Sequence, residues 1–318
     1  RPSANMPPSS NILTRYAPPP ALAGALAMLC WAGSIIVVRD VAGIVPPVAM
    51  SFLRCILALC ILYPICQRNL HAQIPLMRRH WKLIALQGAL LFIGGNGMLF
   101  VGLQFTTAIN AALINSAEPV TIVAIAWVMF RDRLSAIQWA GVVISMVGVL
   151  YLIGRGNMSV LLNFDLNIGD VFILISIVSW AFYAVLMRRV PRDLDRLNLV
   201  FGILLAGAVV VFPFWILENI FYKPTPMIWA TLWVTVFNAV FASILALFWW
   251  NHTVENMGPG RAALFVHLIP VYTVILAMWL LGEQAFWFHA VGIGLIGIGI
   301  FLTTLLKTRK DIQGEKPT

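Results

Sequence analysis

Charged side chains are scarce in this chain of 318 residues: Asp, Glu, Lys and Arg together account for 10% of it. Ordinary soluble domains carry about 25% charged residues. Here 61% of the residues are hydrophobic, and the mean hydropathy is +0.90. So little charge cannot cover the surface of a soluble globular domain. The composition therefore predicts a polytopic membrane protein.

Cysteine and catalytic motifs are also sparse. The four cysteines, Cys30, Cys55, Cys60 and Cys66, lie in or at the end of the first two hydrophobic runs, without histidines at metal-ligand spacing. They are interpreted as small apolar packing residues, with neither a disulfide nor a metal site. The sequence contains no His-Glu-x-x-His, no Gly-rich phosphate loop with Lys and no Gly-x-Ser-x-Gly. These absences argue against an enzyme, and no cofactor is predicted.

Long hydrophobic runs fill the rest of the chain, and they predict an all-α integral membrane fold with ten transmembrane helices. Each run is long enough to cross a bilayer at about 1.5 Å per residue. The predicted spans are about 21–38, 47–66, 83–104, 108–130, 136–154, 169–187, 198–217, 228–250, 261–281 and 286–306. Residues 1–20 and 307–318 are predicted to be cytoplasmic tails, the first one disordered. A signal peptide is the alternative for the N-terminal stretch, because Arg15 precedes an apolar run.

Lys and Arg are distributed unevenly between the two sides of these spans. Of the 21 basic residues, 17 lie on the side of both termini, Arg39, Arg155 and Lys223 lie on the other side, and Arg54 lies within a span. In a soluble protein, the excess over 12 acidic residues could indicate a nucleic-acid partner. Here it follows the positive-inside rule. We therefore expect a multi-pass protein of a bacterial-type inner membrane, with both termini cytoplasmic and no nucleic-acid partner.

The second half of the sequence repeats the first. Residues of the same type match in the same order: Pro119 with Pro270, Gly141 with Gly292 and Gly148 with Gly299 at an offset of 151, and Trp31 with Trp180 at an offset of 149. Each predicted copy, 21–154 and 169–306, contains five spans, and residues 155–168 form a linker. Because five is odd, the second copy should enter the membrane inverted, as in secondary transporters with a midplane site. The repeated glycines should let the fifth and tenth spans pack closely on a neighbour.

A carboxylate lies near the middle of the fourth span. Asn115, Glu118 and Thr121 are three residues apart, so they should form a polar stripe on one helix face. Pro119 should kink this helix and free a carbonyl beside Glu118. An ionisable group within a span is a functional-site hypothesis by default. The structural alternative is a protonated Glu118 that only hydrogen-bonds a neighbouring helix.

Other polar and aromatic residues are candidates for the same cavity. Trp31 and Ser34 in the first span share their spacing with Trp180 and Tyr183 in the sixth, so the repeat should present both pairs to one cavity, and a membrane-interface belt is the alternative for the tryptophans. The remaining candidates are Asn96, Asn238, His267, which precedes the second kink at Pro270, and Arg54. Arg54 is expected to pair with a carbonyl or Glu118 or to reach the membrane surface, with direct substrate binding as the alternative.

These residues carry a resemblance to a known family. The first copy resembles the end of an EamA repeat of the drug/metabolite transporter (DMT) superfamily, and the second copy looks like the same motif. The matching residues are Ala112-Leu113, Glu118-Pro119, Arg131-Asp132-Arg133-Leu134-Ser135, Gln138-Trp139-Ala140-Gly141 and Gly148, then Ala263-Leu264, Pro270, Leu281-Gly282-Glu283, Gly292 and Gly299, with Phe52-Leu53-Arg54 similar to the second-span signature. The first copy departs by having Arg131-Asp132 where the family usually has Gly-Glu. The chain is most similar to the YddG-type amino acid exporters.

The resemblance implies an inner-membrane carrier that exports small metabolites, above all amino acids, by alternating access between the repeats. From the residues themselves, Glu118 or freed carbonyls could take a substrate ammonium, and Asn115, Asn96 or His267 could donate to its carboxylate. Trp31, Trp180 and Tyr183 could wall its side chain. Efflux of cationic drugs or purine-like metabolites is the alternative function. Protons are a candidate co-substrate through Glu118, with uniport as the alternative.

Overall fold

The computed structural model describes residues 18–115, 117–131, 135–157, 167–191, 193–257, 265–266 and 268–302 of the chain. These residues are helical, with turns between the helices and no strand within the described ranges. The helices are α1 (Pro20–Asp40), α2 (Pro47–Arg79), α3 (Trp81–Ala89), α4 (Asn96–Gly102), α5 (Ala108–Asn115), α6 (Glu118–Phe130), α7 (Ala136–Ile153), α8 (Ile168–Leu186), α9 (Arg196–Leu217), α10 (Trp229–Phe237), α11 (Ala246–Met257), α12 (Leu268–Leu276) and α13 (Trp287–Ile300).

Several of these helices are continued by wider, π-helical turns, in which the backbone hydrogen bonds skip one more residue than in an α-helix. The π-helical segments are Leu90–Gly95 between α3 and α4, Glu218–Tyr222 after α9, Asn238–Leu245 between α10 and α11, and Ala277–Leu281 after α12. Two of them thus lie inside helical runs rather than at their ends. Sequence periodicity did not predict either one.

Seven helical runs in the described part of the chain are long and apolar enough to cross a membrane. They are Pro20–Asp40, Pro47–Gln67, Trp81–Gly102, Ala108–Phe130, Ile168–Leu186, Leu197–Tyr222 and Trp229–Trp250. Shorter apolar helices occupy the predicted fifth, ninth and tenth spans, at Trp139–Leu152, Leu268–Leu281 and Trp287–Gly299. The prediction of an all-α membrane protein is confirmed. Nearly all of the predicted N-terminal tail and the whole C-terminal tail lie outside the described residues.

Helix α5 is the most enclosed part of the bundle. All seven residues from Ala108 to Ile114 are buried, and the helix packs against α1, α8 and α12. Its large side chains join one apolar cluster with Phe100 of α4 and Ile173 of α8. The first half of the predicted fourth span is therefore enclosed by its neighbours in the bundle.

The predicted close packing of the glycine-bearing spans is confirmed, because α7 and α13 lie along each other. A Cβ atom built on Gly148 would lie 2.9 Å from the Cγ1 atom of Ile296, and one built on Gly292 would overlap the side chain of Leu152. Only a hydrogen atom fits at either position.

Replacing Gly148 with Ala is expected to lower the stability of the protein by about 1–3 kcal/mol, because the added methyl group forces the two helices apart. The matched control is Gly294→Ala on α13, where an added Cβ meets no atom within 4 Å. Thermal unfolding of both variants in detergent measures the difference. Equal midpoints for the two variants would contradict the close-packing interpretation.

Candidate functional site

The predicted fourth span is broken beside the intramembrane carboxylate. Helix α5 ends at Asn115 and α6 begins at Glu118, with Pro119 in its first turn. Proline is well placed there, since the first-turn N–H groups have no partner within the helix. The expected kink at Pro119 is thus a break that precedes the proline. It also divides the expected polar stripe, because Asn115 lies on a different helix from Glu118 and Thr121.

The polar groups on both sides of this break are only partly satisfied. The side chain of Glu118 is half-buried and has no hydrogen bond or ion pair with any described residue. The Oδ1 atom of Asn115 is fully enclosed and also lacks a partner. The hydroxyl group of Thr121, by contrast, donates to the Ala117 carbonyl oxygen at 3.1 Å. A carboxylate and an amide oxygen without partners at a helix break can accept hydrogen bonds from a ligand.

The first π-helical segment, Leu90–Gly95, binds polar side chains with its carbonyl groups. The Nδ2 atom of Asn96 donates to the Leu91 carbonyl at 3.0 Å, and the hydroxyl of Ser51 donates to the Phe92 carbonyl at 3.0 Å. The Oδ1 atom of Asn96 accepts a hydrogen bond from Arg54 at 3.3 Å. A wide turn exposes carbonyls that a regular helix would use internally, and such turns are frequent at functional sites.

The second π-helical segment, Asn238–Leu245, accepts hydrogen bonds from polar side chains of α1. The hydroxyl of Ser34 donates to the Oδ1 atom of Asn238, and the Nε1 atom of Trp31 donates to the Ala242 carbonyl at 3.1 Å. The Nδ2 atom of Asn238 donates to the Val234 carbonyl at 2.9 Å. Trp31 and Ser34 are therefore brought together with Asn238 in one polar cluster.

The other predicted aromatic pair lies on the first π-helical segment. Helix α8 packs against Leu90–Gly95, and the ring of Trp180 is so close to Gly95 that a Cβ there would lie 2.9 Å from it. Tyr183 packs edge-on to Trp180, with the ring centroids 5.3 Å apart. Trp31 and Trp180 thus each contact the π-helical segment in the other half of the chain.

The expectations for Arg54 and His267 have different outcomes. Arg54 donates to the side-chain carbonyl oxygen of Asn96, so of the expected arrangements the pairing with a carbonyl is observed; the residue is buried and does not pair with Glu118. Trp250 packs against Trp31 with ring centroids 5.9 Å apart. His267 lies outside the described residues, and Pro270 is buried in α12, where the expected kink stays a prediction.

The structure also assigns roles to carboxylates that sequence reasoning did not single out. At the end of the bundle formed by residues 41–46, 103–107 and 282–286, which we term the Glu283 end, Glu283 accepts hydrogen bonds from the backbone N–H groups of Ala108 and Ile109 at 2.8 and 3.0 Å. Carboxylates bind well at helix N-termini, where the N–H groups are free and the helix dipole is positive. Arg39 lies 3.8 Å from the same carboxylate. The sequence gave only a weak signal for this role of Glu283, namely its position in a short connection between two spans.

Two further carboxylates also connect helices through hydrogen bonds, Glu218 to backbone groups and Asp170 to side chains. Glu218 accepts hydrogen bonds from the N–H groups of Val48 and Ala49 at the start of α2, at 3.0 and 2.7 Å. Asp170 on α8 accepts from the Thr106 hydroxyl at 2.7 Å and from the Asn110 amide at 2.8 Å. Together with Glu283, these side chains tie α2, α5 and α8 to their neighbours.

Comparison with known proteins gives a consistent result. The model of the EamA-like transporter family matches the chain twice, at residues 19–154 and 167–305. The uncharacterized transporter YyaM of Bacillus subtilis is 29% identical over 216 residues, 67% of this chain and 70% of that protein. An uncharacterized transporter of Archaeoglobus fulgidus is 27% identical over 88% of this chain and 95% of its own length.

Two further comparisons extend over most of the chain. The uncharacterized inner membrane transporter YedA of Escherichia coli K12 is 28% identical over 90% of this chain and 91% of its own length. A solved structure, described only as a crystal structure of a protein, has a TM-score of 0.58 at 20% identity and covers 93% of this chain and 99% of that chain. That likeness concerns the fold alone.

Proposed function

Since this chain belongs to the EamA-like transporter family, and is thus a membrane transporter and not an enzyme, we propose that its cargo is small metabolites, above all amino acids with hydrophobic or aromatic side chains. The proposed architecture is ten transmembrane helices in two inverted copies, 21–154 and 169–306, joined by residues 155–168. Transport then follows from alternating access around a midplane cavity between the copies. Export from the cell is the proposed direction, as in YddG-type carriers.

The carboxylate of Glu118 at the break between α5 and α6, which has no partner in the described part of the chain, is the observation that supports this cargo best. An amino acid carries an ammonium group, which a buried carboxylate binds through charge-assisted hydrogen bonds. Asn115 supplies a free amide oxygen on the other side of the break. The rings of Trp31, Trp180 and Tyr183 provide apolar walls for the side chain of the substrate, and Ser34, Asn96 and His267 supply polar groups around it.

Cationic drugs and purine-like metabolites are the second candidate cargo. The same carboxylate would hold a cationic drug, and tryptophan faces attract cations and stack on planar rings. A drug has no carboxylate, however, and would leave the hydrogen-bond donors of the site unused.

Counterflow in proteoliposomes is expected to distinguish the two kinds of cargo. Purified protein should accumulate labelled leucine, and unlabelled hydrophobic and aromatic amino acids should compete at least tenfold better than cationic dyes, because only a zwitterion uses both kinds of polar group. Competition by dyes alone would overturn amino acid transport and favour drug efflux. An empty-liposome control excludes leakage of label.

Protons are the proposed coupling ion, because Glu118 can exchange a proton for the ammonium group of the substrate. Uptake should then respond to an imposed pH gradient. Uptake that ignores the gradient would leave uniport as the mechanism, with direction set by the substrate gradient alone.

A further inference from the structure

Arg54 is a buried cation with no acidic partner among the residues that the structure describes. Its side chain is 5% exposed, on the third turn of α2 and about 10 Å below the start of that helix at 1.5 Å per residue. No Asp or Glu oxygen in the described ranges lies within 4 Å of it. Charged side chains inside a membrane protein normally pair with an opposite charge or mark a substrate pathway. The uncompensated charge therefore needs an explanation.

Neutral groups hold the guanidinium in place. Its Nη1 atom donates to the Oδ1 atom of Asn96 at 3.3 Å, and its Cζ atom lies 5.3 Å from the ring centroid of Phe92 and 5.6 Å from that of Phe100. The Nε atom is fully enclosed and has no partner. Arginine has five N–H donors in a planar fork that matches a carboxylate, so most of its binding capacity is unused.

The surroundings of Arg54 belong to the candidate site. Asn96 follows the π-helical segment Leu90–Gly95, and its amide is itself fixed by the Leu91 carbonyl. Helix α2 also packs against the second π-helical segment, Asn238–Leu245. Helix α2, which carries Arg54, therefore contacts both π-helical segments, and these are the segments that Trp31 and Trp180 contact.

We propose that Arg54 binds the carboxylate group of the transported substrate and that Asn96 is its positioning residue. The proposal rests on the proposed transport of amino acids. It adds the group that binds the substrate carboxylate, a role for which the sequence alone offered Asn115, Asn96 or His267. In this proposal Arg54 binds the carboxylate group and Glu118 the ammonium group of the same zwitterion. A substrate with an ammonium group and no carboxylate binds more weakly because it forms no charge-assisted hydrogen bonds with the guanidinium.

The test compares leucine with leucinamide, which has the same side chain and amine but no carboxylate, at a mildly acidic pH that keeps both amines protonated. Each compound competes against labelled leucine in counterflow by purified protein. Wild-type protein should prefer leucine at least tenfold. The Arg54→Gln variant should lose this preference, because leucine binds at least tenfold more weakly while leucinamide is unaffected. Arg54→Lys, which keeps the charge without the planar fork, should restore part of the preference.

The outcomes separate this inference from the proposed function. If wild-type protein accumulates no amino acid, amino acid transport is wrong and the role of Arg54 fails with it. If wild-type protein transports leucine but Arg54→Gln keeps the wild-type preference, the role of Arg54 alone is wrong. Should Arg54→Gln not fold, Asn96→Ala decides: a severalfold weaker preference for leucine supports the inference, and an unchanged preference overturns it.

Discussion

Replacing Glu118 with Gln is expected to reduce counterflow of a zwitterionic amino acid by roughly a hundredfold. The carboxylate is half-buried at a helix break and has no partner in the described chain. Replacing it with an amide therefore removes a negative charge whose proposed partner is the ammonium group of the substrate. A hydrogen bond to a charged group contributes about 1.5–3 kcal/mol, and about 2.7 kcal/mol corresponds to the expected factor. The measurement is the initial rate and half-saturation concentration of purified protein in liposomes.

Two variants of α6 make this result interpretable. Glu118→Asp keeps the charge and should retain much more transport than Glu118→Gln. Thr121→Val removes a hydroxyl one turn away that only bonds its own helix, so transport should stay within about threefold of wild type. Wild-type affinity and rate in purified Glu118→Gln would remove the central role of this carboxylate and favour a purely structural one.

Replacing Glu283 with Ala is expected to open the Glu283 end of the bundle. The change removes two hydrogen bonds to the N-terminus of α5 and the ion pair with Arg39. At about 1.5 kcal/mol or more for each charge-assisted bond, the conformation that contains these contacts should lose roughly 3 kcal/mol, or about a hundredfold in population relative to one in which this end is open. Alternating access requires just such an equilibrium.

Cysteine labelling measures this opening directly. In protein whose four native cysteines are replaced, Ile114→Cys places a thiol on the buried face of α5 without adding volume. A water-soluble maleimide should label it up to about a hundredfold faster in the Glu283→Ala background, in proportion to the population shift. The control is Lys223→Ala at the same end, because among the described residues this partly exposed side chain donates only to the Gly43 carbonyl. Equal labelling in both backgrounds would show that Glu283 does not hold this end closed.

The membrane-spanning runs and the close glycine contacts could be predicted because they depend on local properties. A segment is apolar and long enough to cross a bilayer whatever its neighbours are. Likewise, Gly148 and Gly292 remove volume from one helix face, which permits close approach to any partner. Each of the two family matches, at 19–154 and 167–305, contains one set of the repeated prolines, glycines and tryptophans.

The break in the fourth span shows that a local sequence signal can predict an irregular backbone without predicting its position. Pro119 announced an irregular backbone, and the structure places that irregularity one turn earlier, between Asn115 and Glu118. Proline is common in the first turn of a helix, and it kinks or breaks a helix when it lies in the interior. The residue alone therefore does not predict whether a kink or a new helix start occurs. The segment Leu90–Gly95 carried no comparable signal, since a wide turn has the same hydropathy as a regular one.

By itself, the sequence determined that this protein is an all-helical membrane transporter, because hydropathy, length and the doubled family motif are properties of each segment. Only the tertiary structure decided which polar groups meet. Arg54 lies against Asn96 and not Glu118, Trp31 against Trp250, and Glu283 against the start of α5. The physical reason is that such pairings depend on how each helix is rotated about its axis, and that rotation is set by the packing of all its neighbours at once.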